Sequence, residues 1–277
     1  NCWTSLKRAA GRIAYKDDVI TKRLEKGMAN LLHHNTVSFL HFIELFIDGS
    51  KQYLDTKNYK YALMLYYALF QDRLDKTGFA SIYEALELIH KEMYSYFKQE
   101  ISEIISYLLA HLQLKTMPLG EDVLPGLELY GCYTREEIFT LVGRQTEARK
   151  MQGSVTGVFN LSECNATLLF VTLNKSDKDF SPSTQYNDYF INEHYFHWQS
   201  QNTDSHQNNG GQRYTKQADT QNKIILFVRE EKKDGYGNTC PFHCFGLVEY
   251  MSSHDDFPMN ITWKLQQPAM AQYVKAI

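Results

Sequence analysis

The sequence has no apolar run approaching the length of a membrane-spanning helix, which argues against a membrane protein of that kind. It also lacks the compact motifs of common catalytic centres. There is no phosphate-cradling loop ending in Gly-Lys-Ser/Thr, no Gly-x-Ser-x-Gly elbow and no His-Glu-x-x-His. Proline is scarce, with six residues and none before Pro118, so nothing of that kind interrupts helices upstream. Cysteine numbers only five, an odd count that speaks against a disulfide framework and for a reducing, cytoplasmic setting. A basic excess is missing too: 29 Lys and Arg against 32 Asp and Glu give a net charge of −3. A protein that coats DNA does so with a strongly basic face, so any nucleic-acid site here must be a local patch. No signal-peptide pattern opens the chain and its first residue is not Met, so it reads as part of something longer.

What is abundant is aromatic surface, with 19 Tyr and 16 Phe in 277 residues, suited either to stacking on bases or to a β-rich core. Apolar residues upstream of about residue 118 recur at helical spacing. Val37, Leu40, Ile43, Phe46 and Ile47 form one stripe, ended by Asp48-Gly49-Ser50. Tyr61 to Phe70 is almost wholly apolar and predicts a buried helix. Ile82, Leu86, Ile89, Met93 and Phe97 continue the period into Ile101, Ile105 and Leu109, so the pattern predicts four or five packed helices. Pro118, Gly120, Pro125 and Gly126 mark a linker over 118–128. Beyond it, Thr134 followed by Glu137 predicts a capping box opening a short helix through Leu141.

The texture then becomes β. Runs at 167–173, 223–229, 242–250 and 260–265 are rich in β-branched and aromatic residues and are divided by turn-forming stretches. That spacing, with one entry helix, predicts a small, partly closed barrel. Residues 201–222, polar and containing Gly210-Gly211, read as a long flexible loop. The fold class is therefore α+β, with an all-α helical domain over 1–117, the linker, and a β-rich domain over 129–277.

Most candidate chemistry has a plain explanation. Cys240 and Cys244 lack the second paired cluster that a structural zinc site needs. His33, His34 and His41 lie on a predicted helix with no acidic partner at suitable spacing, and read as structural histidines. The basic residues Lys7, Arg8, Arg12, Lys16, Lys22, Arg23 and Lys26 form either a patch or an ordinary solvated helix face. Neither a catalytic residue nor a metal ligand set is specified. The unusual stretch is 174–201, where Asp177, Asp179 and Asp188 interleave with Phe180, Tyr186, Tyr189, Tyr195, Phe196 and Trp198. Rings that sandwich a base and a carboxylate that accepts from cytosine N4 are what a pocket for an extruded base requires. Strand alternation puts Phe196, Trp198 and Ser200 on one face, and that face is either the pocket or the core.

The stretches 167–184, 191–201, 211–214, 225–230 and 258–265 resemble a C-terminal domain found after superfamily-two helicase cores, in particular the tail of SauUSI-type type IV restriction enzymes. Residues 6–13 and 31–43 resemble the helical segment that follows the motor in the same proteins. The resemblance implies an SRA/PUA-like domain that flips 5-methylcytosine out of duplex DNA, as the target-recognition part of an ATP-dependent, modification-dependent endonuclease. It implies no catalysis in this part of the chain. ATP and Mg would belong to the parent's motor, and the partners would be methylated double-stranded DNA, the helicase and phospholipase-D-like nuclease domains, and a possible second copy. Phe196-His197-Trp198-Gln199-Ser200 is similar to the Phe-x-aromatic-Thr-Gly strand of SRA modules, with Gln199-Ser200 in place of Thr-Gly. Trp198 would then stack on the base, Asp179 or Asp177 read N4, and Phe180 cover the other face, with Phe196, Gln199, Ser200 and Tyr186 nearby. Arg213, Lys216 and Lys175 are the expected backbone contacts. A scaffold that docks the helicase and nuclease, with no base readout, is the alternative.

Overall fold

The computed structural model describes residues 2–120, 123–151, 156–175 and 186–274, with the backbone alone at residues 52 and 53. From the N-terminus come helices α1 (Trp3–Ala9), α2 (Val19–Gly27), α3 (Val37–Ile47), α4 (Tyr59–Phe70), α5 (Leu74–Thr77), α6 (Ile82–Glu87) and α7 (Ser95–Ala110). Two-residue strands β1 (Met117–Pro118), β2 (Glu128–Leu129) and β3 (Cys132–Tyr133) precede helix α8 (Arg135–Leu141). Then follow β4 (Val158–Leu161), β5 (Ala166–Asn174), β6 (Tyr189–Phe190), β7 (Tyr195–Gln199), helices α9 (Asn209–Thr215) and α10 (Gln217–Thr220), and β8 (Lys223–Glu231), β9 (Phe242–His254) and β10 (Asn260–Leu265). The architecture is α+β. Its helical unit comprises Asn1–Thr116, Leu124–Leu127 and Gly131–Gly153, and its sheet unit Met117–Val123, Glu128–Tyr130 and Ser154–Ile277. Helix α8, expected at the entry of the β-rich domain, thus belongs with the helices. The 118–128 stretch is divided between the two units, and β1 pairs antiparallel with β2 across it.

In the helical unit α4 is the buried centre, with every side chain from Ala62 to Phe70 withdrawn from water. Helix α2 approaches α4 so closely that a Cβ at Gly27 would stand 2.6 Å from the Leu69 backbone, so only glycine fits there. The predicted capping box is present at α8, where the Glu137 side chain accepts from Thr134 N at 2.7 Å and Thr134 Oγ1 from Glu137 N at 3.3 Å. The buried Glu100 carboxylate of α7 receives the Trp3 and Thr4 backbone N–H groups at 2.6 and 2.8 Å, satisfying donors that the first turn of α1 cannot use internally. The apolar period through 82–109 does not form one helix. The backbone is extended at Lys91, so Ile89 and Phe97 are buried from separate elements while Met93 between them is exposed.

The sheet runs β4-β5-β8-β9-β10-β7-β6. Strands β5 and β8 are parallel, from Ala166↔Lys223 to Asn174↔Glu231, and the other pairings along this path are antiparallel. Both members of the parallel pair are near-continuous apolar runs buried on both faces, the pattern such central strands require. Among the described residues, edge strands β4 and β6 are not joined, so the sheet does not close into a barrel. The core between its inward faces holds Phe196, Trp198, Tyr214, Phe245, Ile261 and Trp263.

The 201–222 stretch is not a flexible loop but carries α9 and α10. Asn208 caps α9 by accepting from Gly211 N at 3.0 Å. A Cβ at Gly211 would lie 2.0 Å from Ser205 O and 2.5 Å from Met259 Sδ, so the two glycines that suggested mobility instead permit tight packing. The preceding residues are fastened to the β9–β10 turn, because His206 meets Asp256 Oδ1 at 2.8 Å and Ser253 Oγ at 2.7 Å.

Candidate functional site

Strand β7 decides the geometry of the predicted base pocket. Its alternation turns Phe196 and Trp198 inward, while Tyr195, His197 and Gln199 lie on the other face, only half-buried. Trp198 is 4% exposed, with its ring centroid 5.1 Å from that of Tyr214 and 6.2 Å from that of Trp263. A ring so enclosed offers no free face to a base in this conformation. Phe196 is likewise fully buried against Phe190, and Ser200 Oγ is occupied by Met259 N at 3.0 Å. These three expected pocket residues therefore build the core that supports β7.

The opposite side of the same strand end carries a polar network. Asp188 is the hub: its Oδ2 lies 2.6 Å from Lys175 Nζ and its Oδ1 accepts from Gln199 N at 2.9 Å. Lys175 also donates to Tyr186 O at 2.7 Å, and its ammonium stands 5.7 Å from the Tyr186 ring centre. The Gln199 side chain accepts from Asn187 N at 2.7 Å and donates to Asn260 Oδ1 at 3.0 Å. His197 donates to Asn187 O at 2.9 Å and stacks on Tyr189, whose ring is exposed, with centroids 4.7 Å apart. Burial pushes the Asp188 carboxyl above its ordinary value, against the opposing pull of Lys175 and the Gln199 N–H. Tyr186 is also pushed up by burial.

Three of the expected residues, Lys175, Tyr186 and Gln199, are thus brought together, and Asp188, His197, Asn187 and Asn260 complete the network. Asp177, Asp179 and Phe180 lie outside the described residues. Lys175 was expected on a phosphate, but its side chain is 8% exposed and committed to Asp188. Arg213 is half-buried on α9, whereas Lys216 just beyond it is exposed, its Nζ 3.1 Å from Gln212 Oε1. The hub was the least legible part. Asp188 is one of four acids in its stretch, and only its position just before an alternating strand distinguishes it.

The other sequence candidates also have definite surroundings. In the N-terminal basic segment Arg8 pairs with Asp17 at 3.0 Å and Glu25 at 3.4 Å, Lys22 with Asp17 at 3.3 Å and Lys16 with Asp18 at 3.5 Å, so much of its charge is answered locally. Cys244 is fully buried, and desolvation pushes its thiol up to about 12, the behaviour of an inert core cysteine. Among the described residues no helix is long and apolar enough to cross a membrane.

A family model described as "Domain of unknown function (DUF3427)" matches residues 127–276. No curated protein matches the chain.

Proposed function

The chain belongs to the DUF3427 family, and from that premise we propose that its sheet unit binds duplex DNA and reads 5-methylcytosine extruded from the helix. One observation carries the reading. The residues flanking the acidic and aromatic stretch 176–185 are held together by the Lys175–Tyr186 and Lys175–Asp188 contacts, beside Gln199 on the strand that resembles the SRA motif. In this account Tyr186 and Gln199 border the pocket, while Asp177 or Asp179 reads cytosine N4 and Phe180 stacks on the base. Trp198, Phe196 and Ser200 form the rigid floor. Lys175 acts as a positioning residue, and Arg213 and Lys216 contact the DNA backbone.

The energetics define what such a pocket must do. Extrusion costs a few kcal/mol of pairing and stacking, which contacts in the pocket offset. Burying the methyl group adds about 0.8 kcal/mol, or about fourfold in affinity. Larger discrimination requires a pocket whose shape rejects the unmethylated state. We propose further that this part of the chain is not itself an enzyme. It serves a cytoplasmic type IV restriction endonuclease whose motor uses ATP and Mg, and the helical unit couples recognition to the helicase and nuclease or to a second copy.

The test is binding of the full 277-residue chain to matched duplexes with and without 5-methylcytosine at one fixed salt concentration. Methyl-dependent binding that weakens in Gln199→Ala supports the reader. Equal or absent binding overturns it and leaves the docking scaffold as the better account.

A further inference from the structure

The helical unit holds a second cluster that the proposed reader does not use. His33, His34 and Glu137 each offer a ligand atom, and these atoms lie within 4.8 Å of one another. His33 Nε2 is 2.9 Å from Glu137 Oε2, and His34 Nε2 is 3.4 Å from Glu137 Oε1. Ligands about 2.0–2.1 Å from a tetrahedral zinc ion stand about 3.3 Å apart, and the 3.4 Å between His34 Nε2 and Glu137 Oε1 is close to one edge of such a polyhedron. The two rings are consecutive in sequence, with centroids 4.2 Å apart and planes tilted by 35°.

An independent observation points to something between them. His34 is 2% exposed, yet neither of its ring nitrogens has a hydrogen-bond partner among the described residues. A buried imidazole left unsatisfied is costly, and a bound ion would supply the partner that His34 lacks. The carboxylate is already oriented. Glu137 Oε2 accepts from the Thr134 backbone N–H at 2.7 Å through the capping box, which leaves Oε1 turned toward His34. A ligand whose second oxygen is fixed by a backbone donor is the arrangement that metal sites use to hold geometry. Sequence spacing conceals the acidic member, because Glu137 lies 104 positions from His33.

We infer that His33, His34 and Glu137 form a site for a divalent transition-metal ion such as zinc, with water completing the coordination. Two imidazoles and a carboxylate in a desolvated setting are a nitrogen and oxygen donor set that suits a divalent transition metal. With three protein ligands the site keeps an open position. Its location on the entry to α8 makes the ion a clamp between the His33–His34 segment and that helix within the helical unit.

The test is zinc binding by the full chain after chelator treatment, measured by competition with a chromophoric indicator and by cobalt substitution read in visible absorption. Wild type is expected to take up a single tightly held ion. Glu137→Gln retains the side-chain acceptor of the capping box and should keep its circular dichroism, while losing about tenfold or more in affinity. His33→Ala should do the same. A Cys240→Ser, Cys244→Ser double variant should bind as wild type. The inference is overturned if wild type takes up no zinc, if Glu137→Gln and His33→Ala bind unchanged, or if the ion is lost instead with the cysteines.

Discussion

Lys175 Nζ lies 2.6 Å from Asp188 Oδ2, with side-chain exposures of 8% and 3%, so an ion pair is almost wholly withdrawn from water. Such pairs gain little over an apolar substitute, but removing one partner strands the other charge at a cost of about 3–5 kcal/mol. Lys175→Met should therefore lower stability by roughly that amount in urea denaturation. Adding Asp188→Asn, which keeps an acceptor for the Gln199 N–H, should recover most of the loss. A double variant no more stable than the single one would mean that the pair is not coupled.

Neighbouring positions on β7 should separate packing from recognition. Trp198→Ala empties core volume among Tyr214 and Trp263, and should cost about 3–5 kcal/mol. Any loss of DNA binding there would follow from loss of structure. Gln199→Ala, on the opposite face, should leave the fold within about 1.5 kcal/mol of wild type while weakening methyl-dependent binding. Denaturation and duplex binding measured on the same two variants check the division, which fails if Trp198→Ala is stable but does not bind.

His243 predicts an acid-labile contact. Burial holds its imidazole at about 4, below the ordinary 6.5, while Nδ1 sits 2.6 Å from the Tyr273 hydroxyl. The folded chain keeps the ring neutral, whereas the unfolded chain takes up a proton near 6.5. Its contribution is thus fully present above pH 6.5 and is lost as pH falls toward about 4. The amount is at most about 3 kcal/mol. Comparing wild type with His243→Phe across that range removes the background from other titrating groups. The wild-type curve should fall more steeply, and parallel curves would refute the assignment.

Two glycines offer a matched contrast. Gly211→Ala drives a methyl into Ser205 O and Met259 Sδ and should cost about 1–3 kcal/mol or displace α9. Gly235 has open space around it, and alanine there should change stability by less than about 0.5 kcal/mol. Thermal unfolding of both variants is the measurement. Equal effects would mean that α9 is not packed as described.

Local pattern carried much of the fold and little of the site. The apolar density of 61–70 is enough to specify a buried helix, and Thr134 with Glu137 specifies where another begins. Alternation in β7 correctly sorted two faces, yet by itself it could not say that the Trp198 face is the core, since both base pockets and cores favour rings. The runs that became β5 and β8 were visible, but their parallel pairing depends on contacts across the intervening chain. The same holds for His33 with Glu137. Gly210-Gly211 misled because glycine marks mobility and close packing with the same residue, and only neighbours distant in sequence tell them apart.

The parallel pair also sets a timetable for biosynthesis. Ala166 of β5 pairs with Lys223, 57 positions later in the chain. At ribosomal rates of roughly 5–20 residues per second, β5 waits about 3–11 s for β8 to be made. During that interval β4 can shield one of its edges, but the other edge of an apolar strand stays open to solvent. The nascent protein therefore passes through a window in which a chaperone or a slow translation rate bears directly on yield, however stable the finished sheet.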